Sequence, residues 1–144
     1  MADTVASQTI FDGERIAIMK FTCTSDGTGE TNVVKVNPSS LTASASGGAC
    51  TGVSILKITA LTHGLEVQMN WKATTPVIIE TIPQNNSYTQ DYSAIGGLTN
   101  NAGTGKDGAI TFTTVDASAG DRYTVVLEMQ KSYAQPTNYV LPAP

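Results

Sequence analysis

The chain has 144 residues, of which 40% are hydrophobic and 14% are charged, and its formal net charge is −4. This length suits a single domain with one hydrophobic core. Nucleic acids and anionic membranes bind clustered cations, so an acidic, lysine-poor chain excludes both as expected partners, and no run approaches the ~20 apolar residues of a membrane-spanning helix.

The polarity of the chain comes mainly from hydroxyl and amide groups, since it has 21 Thr, 11 Ser and 8 Asn besides 13 Gly. Such a composition is typical of β proteins that work outside the cell. The first residues, Met1-Ala2-Asp3-Thr4, show neither a basic start nor an apolar stretch, so we expect no secretory signal. A virion protein, made in a host cytoplasm and released by lysis, satisfies both observations, and so does a mature form stripped of its signal.

Apolar and polar residues alternate with period two, and no long window keeps a helical stripe. The predicted strands are residues 14–23, 31–36, 52–60, 64–72, 77–82, 108–115 and 121–131, with 4–11 and 88–95 as weaker candidates. In the clearest strand Trp71 shares the parity of Leu65, Val67 and Met69, which predicts a core position. Turn signals about 8 to 14 residues apart favour an all-β fold: an antiparallel β-sandwich, jelly-roll-like, with extended N- and C-terminal arms.

The domain organisation follows from these elements. Residues 1–12 form an N-terminal arm or edge strand, 13–133 the sandwich, and 134–144 a C-terminal arm. Prolines in this last segment forbid ladder pairing at their positions, whereas Tyr139, Val140 and Leu141 are too apolar for a free linker. The arm either lies across a neighbouring subunit or frays as a tail. Residues 39–48 and 98–105 are small and polar and are predicted to be exposed loops.

Cys23 and Cys50 fit no metal or redox spacing. In a reducing cytoplasm two buried free thiols are expected, although a disulfide between them stays open. The sole histidine, His63, lies in a turn signal, and no Gly-x-Ser-x-Gly motif occurs. The segments 26–30 and 116–121 are oxygen-rich like calcium loops but lack the EF-hand spacing, and turn Asp residues usually cap their own backbone. We therefore expect no enzyme, no cofactor and no metal site.

Four stretches together resemble small structural proteins of tailed bacteriophages. They are Trp71-Lys-Ala-Thr-Thr-Pro-Val77, Ile95-Gly-Gly-Leu-Thr-Asn-Asn-Ala-Gly-Thr-Gly105, Asp107-Gly-Ala-Ile-Thr-Phe-Thr-Thr114 and Gly120-Asp-Arg-Tyr-Thr-Val-Val-Leu-Glu-Met-Gln-Lys131. The resemblance covers about residues 12–131 and consists of strand and loop patterns. It implies a capsid decoration or cement protein on the outside of the virion, a homo-oligomer such as a trimer, that bridges neighbouring major capsid proteins. It implies no catalytic residue.

A binding role directs attention to exposed apolar and amide side chains near the termini and in the second loop. The predicted interface residues are Val5, Ile10, Phe11, Asn100, Asn101, Tyr133, Tyr139, Val140 and Leu141. The alternative function is a receptor- or glycan-binding β-sandwich module of a phage tail or adhesin. It would use exposed aromatic residues, for which Tyr88, Tyr92, Tyr133 and Tyr139 are the freest. A hydrolase is the remotest alternative, because it needs convergent titratable groups in a pocket.

Overall fold

A computed structural model of the protein describes residues 3–45 and 47–133. Within these ranges the chain forms nine β-strands and two short 3-10 turns, Pro38–Ser40 and Ser93–Ile95. The strands are β1 Thr4–Asp12, β2 Ile16–Asp26, β3 Val33–Val36, β4 Cys50–His63, β5 Glu66–Trp71, β6 Val77–Ile82, β7 Ser87–Asp91, β8 Ile110–Val115 and β9 Ala119–Tyr133.

The described strands form two antiparallel sheets. The large sheet has the order β1-β2-β9-β4-β7, and the small sheet has the order β3-β8-β5-β6. When β1 is left out, the eight strands β2 to β9 form two four-stranded sheets, whose spatial orders are β2-β9-β4-β7 and β3-β8-β5-β6. This connectivity is that of a jelly roll, so the predicted all-β jelly-roll sandwich is confirmed.

The core lies between the sheets and is filled by side chains of alternate strand residues. The Phe112 ring packs edge-on against both Phe21, at 5.4 Å, and Tyr123, at 5.8 Å between ring centroids. Trp71 is 2% exposed, which confirms its predicted core position. Apolar and polar residues alternate along β5, and successive side chains of a strand point to opposite faces of the sheet. The apolar side chains of β5 therefore all face the core together.

β1 extends the large sheet beyond the edge of the small one. At the opposite side of the sandwich the edge strands β6 and β7 lie next to each other, because Glu80 of β6 accepts a hydrogen bond from Tyr92, which directly follows β7. The small sheet, one strand narrower, therefore ends at β3. β1 is exposed on both faces from Thr4 to Phe11. The N-terminal segment is thus an edge strand in its described part, not a free arm.

A β-bulge in β1 changes which residues face inward. Thr9 pairs with Met19 and Phe11 with Ile18, so Ile10 is an extra residue on β1. Before the bulge odd-numbered residues lie on the inner face, and after it Asp12 does, opposite the buried Ala17. The extra residue points Asp12 toward the interior, where it meets Lys131.

One of the two weaker strand predictions, residues 88–95, was too long. β7 ends at Asp91, whose carboxylate accepts hydrogen bonds from the amide and hydroxyl of Ser93, at 2.8 and 2.5 Å. The chain then turns through Ser93–Ile95 into Gly96 and Gly97, both at positive φ. The hydrogen bonds to Asp91 form a local turn where the sequence pattern predicted that the strand continues to residue 95.

The two cysteines lie at opposite ends of the large sheet. Cys23 pairs with Tyr123 and Cys50 with Tyr133, which places them roughly 30 Å apart at about 3.3 Å per residue along β9. Both thiols are free and buried. Separately, no helix among the described residues is long and apolar enough to cross a membrane.

Candidate interaction surfaces

The first candidate surface is the overhanging strand β1. Val5, Ile10 and Phe11, three of the predicted interface residues, are 47%, 52% and 54% exposed. Phe11 and Ile10 lie at the bulge, and the Phe11 ring covers Gly13, where a Cβ would lie 2.7 Å from the ring. No residue from Thr4 to Phe11 is charged or is a proline, so of the common protections of an exposed strand edge this segment has the bulge at Ile10 but neither a charge nor a proline.

One end of the sandwich is clamped by Lys131. Its ammonium is fully buried and contacts the Asp12 carboxylate at 2.6 Å, the carbonyl oxygen of Thr42 at 2.7 Å and that of Gly13 at 3.0 Å. The second Asp12 oxygen accepts hydrogen bonds from the amide and hydroxyl of Thr42. The predicted exposed loop 39–48 is therefore tied to the β1–β2 turn at this point, and Leu41 within it is buried.

The charges of this clamp are well compensated. Burial disfavours the Lys131 ammonium, but its hydrogen bonds and the opposite charge of Asp12 outweigh burial and raise the lysine pKa. Burial likewise disfavours the Asp12 carboxylate, and the bonds from Lys131 and Thr42 outweigh it and lower the aspartate pKa. Both groups stay ionised over the whole physiological range, so the clamp is a structural device.

Tyr133 is the last residue of β9 and is not part of a free arm. Its hydroxyl donates a hydrogen bond to the carbonyl oxygen of Glu14, and its ring lies 5.4 Å from the Lys131 ammonium. The prediction that Tyr133 is a freely available aromatic is wrong, because it closes the clamp. Tyr139, Val140 and Leu141 lie outside the described residues.

The second predicted loop is anchored to the sandwich. Leu98 exchanges two backbone hydrogen bonds with Ile55 of β4, at 2.8 and 3.0 Å. Asn100 is half-buried and accepts a hydrogen bond from the Ala102 amide at 2.9 Å, whereas Asn101 is exposed. The side-chain oxygen of Asn100 is therefore already engaged, and of these two residues Asn101 is the one that can offer both its amide oxygen and its amide nitrogen to a partner.

A shallow groove of about 400 Å³ lies between this loop and β6. Ile95 and Ile78, at 72% and 56% the most exposed large hydrophobic residues described, line it together with Leu98, Asn101 and Trp71. Ile78 pairs with Asn70 and Ile79 is an extra residue, so a β-bulge in β6 turns Ile78 outward although Ile82, at the same parity, is buried. Sequence reasoning missed this groove because the 95–101 loop reaches it only through the contact with β4.

Aromatic residues do not form an exposed platform in the described structure. Tyr88 and Tyr92 are half-buried against the core, and the Tyr92 hydroxyl donates a hydrogen bond to Glu80 at 2.6 Å. Burial and this bond raise the pKa of Tyr92. Both tyrosines connect the β6 and β7 edges, and the expectation that they are free aromatics is wrong.

A buried ionic network, which sequence reasoning also missed, lies near the start of β3. The Glu30 carboxylate contacts the Lys35 ammonium at 2.5 Å and accepts a hydrogen bond from the Tyr123 hydroxyl at 2.6 Å. Burial, reinforced by the negative charge of Glu30, raises the pKa of Tyr123. Burial and the charges of Glu30 and Asp3 raise the pKa of Cys23 to about 12. The lysine, placed by a bulge in β3, neutralises the glutamate inside the sandwich.

The oxygen-rich loops serve the backbone. Asp26 accepts a hydrogen bond from the Thr28 amide at 3.0 Å, Asp121 accepts one from the Ser118 amide at 2.8 Å, and Glu30 points inward. Among the described residues no group of three or more His, Cys, Asp or Glu side chains is placed to hold a metal ion. His63 is exposed and stands beside Arg122 across the β4–β9 ladder.

No family model matches the chain, and no curated protein matches it. Among solved structures, a cupin domain from Bordetella pertussis Tohama I is similar over 92% of this chain and 97% of its own length, with 10% sequence identity and a TM-score of 0.34. A similarity this distant carries no argument about function, and the jelly-roll assignment rests on the strand connectivity.

Proposed function

We propose that the chain is a non-enzymatic virion structural protein, a decoration or cement protein that binds the outer surface of a tailed-phage head. It bridges neighbouring major capsid proteins and acts as a homo-oligomer, made in the host cytoplasm and carried on the capsid exterior. The observation that carries this proposal is the long, uncharged and exposed strand β1, a surface suited to protein contact. The resemblance of residues 12–131 to phage structural proteins supports it.

The mechanism proposed is binding without reaction. A head shell under genome pressure is weakest where capsomers meet, and a protein bound to two subunits adds its interface energy to that seam. Repetition of the contact over the shell supplies avidity. Hydroxyl and amide groups supply neutral hydrogen bonds, which salt screens little.

Co-sedimentation with phage heads stripped of decoration tests the proposal. We expect the protein to sediment with heads at a fixed copy number and to raise the temperature at which heads disrupt. Binding should change little between about 0.1 and 1 M salt, although the Debye length falls from about 10 to 3 Å. Absence of head binding contradicts the proposal.

A matched pair of variants locates the contact. Phe11 and Leu61 are both 54% exposed, but Phe11 lies on the overhanging strand and Leu61 on the outer face of β4. Phe11→Ser should weaken head binding, and Leu61→Ser should leave it unchanged. Equal loss in the two variants contradicts the placement of the contact on β1.

The receptor- or glycan-binding module is the alternative outcome. It requires an exposed aromatic cluster, whereas Trp71 is buried and Tyr88 and Tyr92 are half-buried. Binding to a glycan array together with no binding to heads would make it the leading function.

A further inference from the structure

The unequal width of the two sheets leaves one strand position empty among the described residues. The inner face of β1, formed by Val5, Ser7 and Thr9, has no strand of the small sheet opposite it. Beside that empty position runs the free edge of β3, where Val33 and Val34 are 38% and 43% exposed. We call the space bounded by this face and this edge the β1–β3 notch.

The residues of the notch are assigned to the inner side by their partners. Val5 and Ser7 pair with Cys23 and Phe21 of β2, which are buried and point into the sandwich. Val33 pairs with Phe112, which is also buried. Cross-strand partners share a face of the sheet. Val5, Ser7 and Val33 therefore all point into the space between the two sheets at this edge of the sandwich. The empty strand position has the width of one extended segment.

We propose that the β1–β3 notch is filled by β1 of a second copy of this chain. In such a pair a two-fold axis runs along the strands. β1 of each copy adds to the β3 edge of the other and packs its inner face on the other's inner face. The large sheet of one copy then continues into the small sheet of the other, so donor and acceptor are the same two elements in both copies and the assembly closes as a dimer.

Charge and area both favour this occupant. Residues Thr4 to Phe11 carry no charge, so two β1 strands can be buried against each other without an unpaired ion. β1 is about 30 Å long, from nine residues at about 3.3 Å each. With the β3 edge it offers on the order of 500 Å² per copy, or about 1,000 Å² in total, which lies just below the roughly 1,200 Å² of stable specific interfaces, in the range of weak and transient ones. A reversible dimer is expected, strengthened when copies are held side by side on a particle.

This inference deepens the proposed homo-oligomer and is tested without phage heads, so its failure leaves the head-binding result unaffected. Sedimentation velocity of the full chain over a range of concentrations should show a monomer–dimer equilibrium. Ser7→Lys places a charge on the inner face and should raise the dissociation constant at least about tenfold. Gln8→Lys, an equal charge change on the adjacent exposed residue of the outer face, should leave it nearly unchanged.

A cross-linking measurement keeps the test independent of lysine effects. Ser7→Cys should be joined to its mate in a second copy by a short bis-maleimide, and Gln8→Cys should not. The native Cys23 and Cys50 are buried and give little background. Both cysteine variants must melt like the wild type, as expected at exposed positions.

Three outcomes overturn the proposal. One is a wild-type chain that stays monomeric at all concentrations. The second is equal weakening by Ser7→Lys and Gln8→Lys. The third is loss of the dimer on deletion of residues 134–144 with no effect of Ser7→Lys, which would place the dimer contact on the C-terminal segment and away from the notch.

Discussion

Lys131 joins more separate parts of the fold than any other charged residue described. It comes from the central strand β9 and holds Asp12 at the end of β1, the β1–β2 turn at Gly13 and the 39–48 loop at Thr42. Its side chain is fully buried and each of its three protons has an oxygen partner. Burial of an ammonium group costs a large free energy unless each of its N–H groups donates a hydrogen bond, and here each of them does.

Lys131→Ala should lower the free energy of unfolding by about 3 kcal/mol, because it leaves the Asp12 carboxylate and two carbonyl groups without their partner. Urea unfolding monitored by circular dichroism measures the change. The control is Lys72→Ala, since Lys72 and Asp107 form a half-exposed pair at 3.3 Å. That variant should lie within about 0.5 kcal/mol of the wild type, and equal losses would contradict the clamp.

The thiol of Cys23 is protected both by position and by its pKa of about 12. With the pKa raised above its usual value of 9.0, the folded state keeps the proton that the unfolded state loses. This contribution to stability is complete below pH 9 and declines as the pH rises toward 12. An Ellman assay at pH 8 should find Cys23 unreactive in the folded chain and two free thiols after denaturation without reductant. Fewer than two thiols in denaturant would contradict the free state of both cysteines.

At the scale of elements, local backbone devices decide where strands begin, bend and end. The extra residue in β1 rotates Asp12 to the inner face, and Asp91 ends β7 by capping its own turn. Gly64, between β4 and β5, has φ +81°, and a Cβ there would overlap the Asp121 carboxylate. That carboxylate is itself held by the Ser118 amide, so this turn and the β8–β9 turn are packed together.

Gly64→Ala should therefore destabilise the protein more than Gly120→Ala does. Both glycines have positive φ, which costs about 1 kcal/mol for alanine, but a Cβ at Gly120 meets open space. We expect about 1 kcal/mol for Gly120→Ala and about 2 to 3 kcal/mol for Gly64→Ala, read from midpoints of thermal or urea unfolding. Equal effects would mean that Asp121 moves aside without cost.

At the scale of the whole molecule, the chain is a closed sandwich whose interior is occupied by its own side chains. Trp71, Phe21, Phe112 and Tyr123 fill the space between the sheets, and the surface carries the overhanging β1 and a shallow groove beside β6. Those surfaces suit contact with other proteins. The proposed head binding and the proposed pairing through the β1–β3 notch both involve exposed strands at the edge of the sandwich and leave the packed core unchanged.

Deletion of residues 134–144 should weaken head binding and leave the sandwich folded. Every buried hydrophobic residue described lies at or before Met129, so the deletion removes none of them. Thermal unfolding within a few degrees of the wild type, together with reduced co-sedimentation, is the expected result. Unchanged head binding would remove the C-terminal segment from the proposed interface.

The expectation that Tyr88, Tyr92 and Tyr133 are free aromatics failed for one physical reason. The sequence marks which residues are apolar or aromatic, but their availability depends on distant partners. Tyr133 is aromatic and close to the end of the chain, yet its hydroxyl is used by Glu14, 119 residues away. Tyr92 is used by Glu80 in the same manner. Val5 stays exposed because the small sheet ends one strand short of it, whereas Phe11 stays exposed because the bulge at Ile10 leaves it on the outer face.

The sequence alone determined the strands and the class of fold, because period-two alternation, β-branched residues and turn signals act locally and can be read in order. It determined the inward face of β5 and with it the buried Trp71. The tertiary structure alone decided the pairing order, the five-to-four imbalance of the sheets, and the buried partners of Glu30 and Lys131. These depend on contacts between residues far apart in the chain, for which a single sequence carries no local signal.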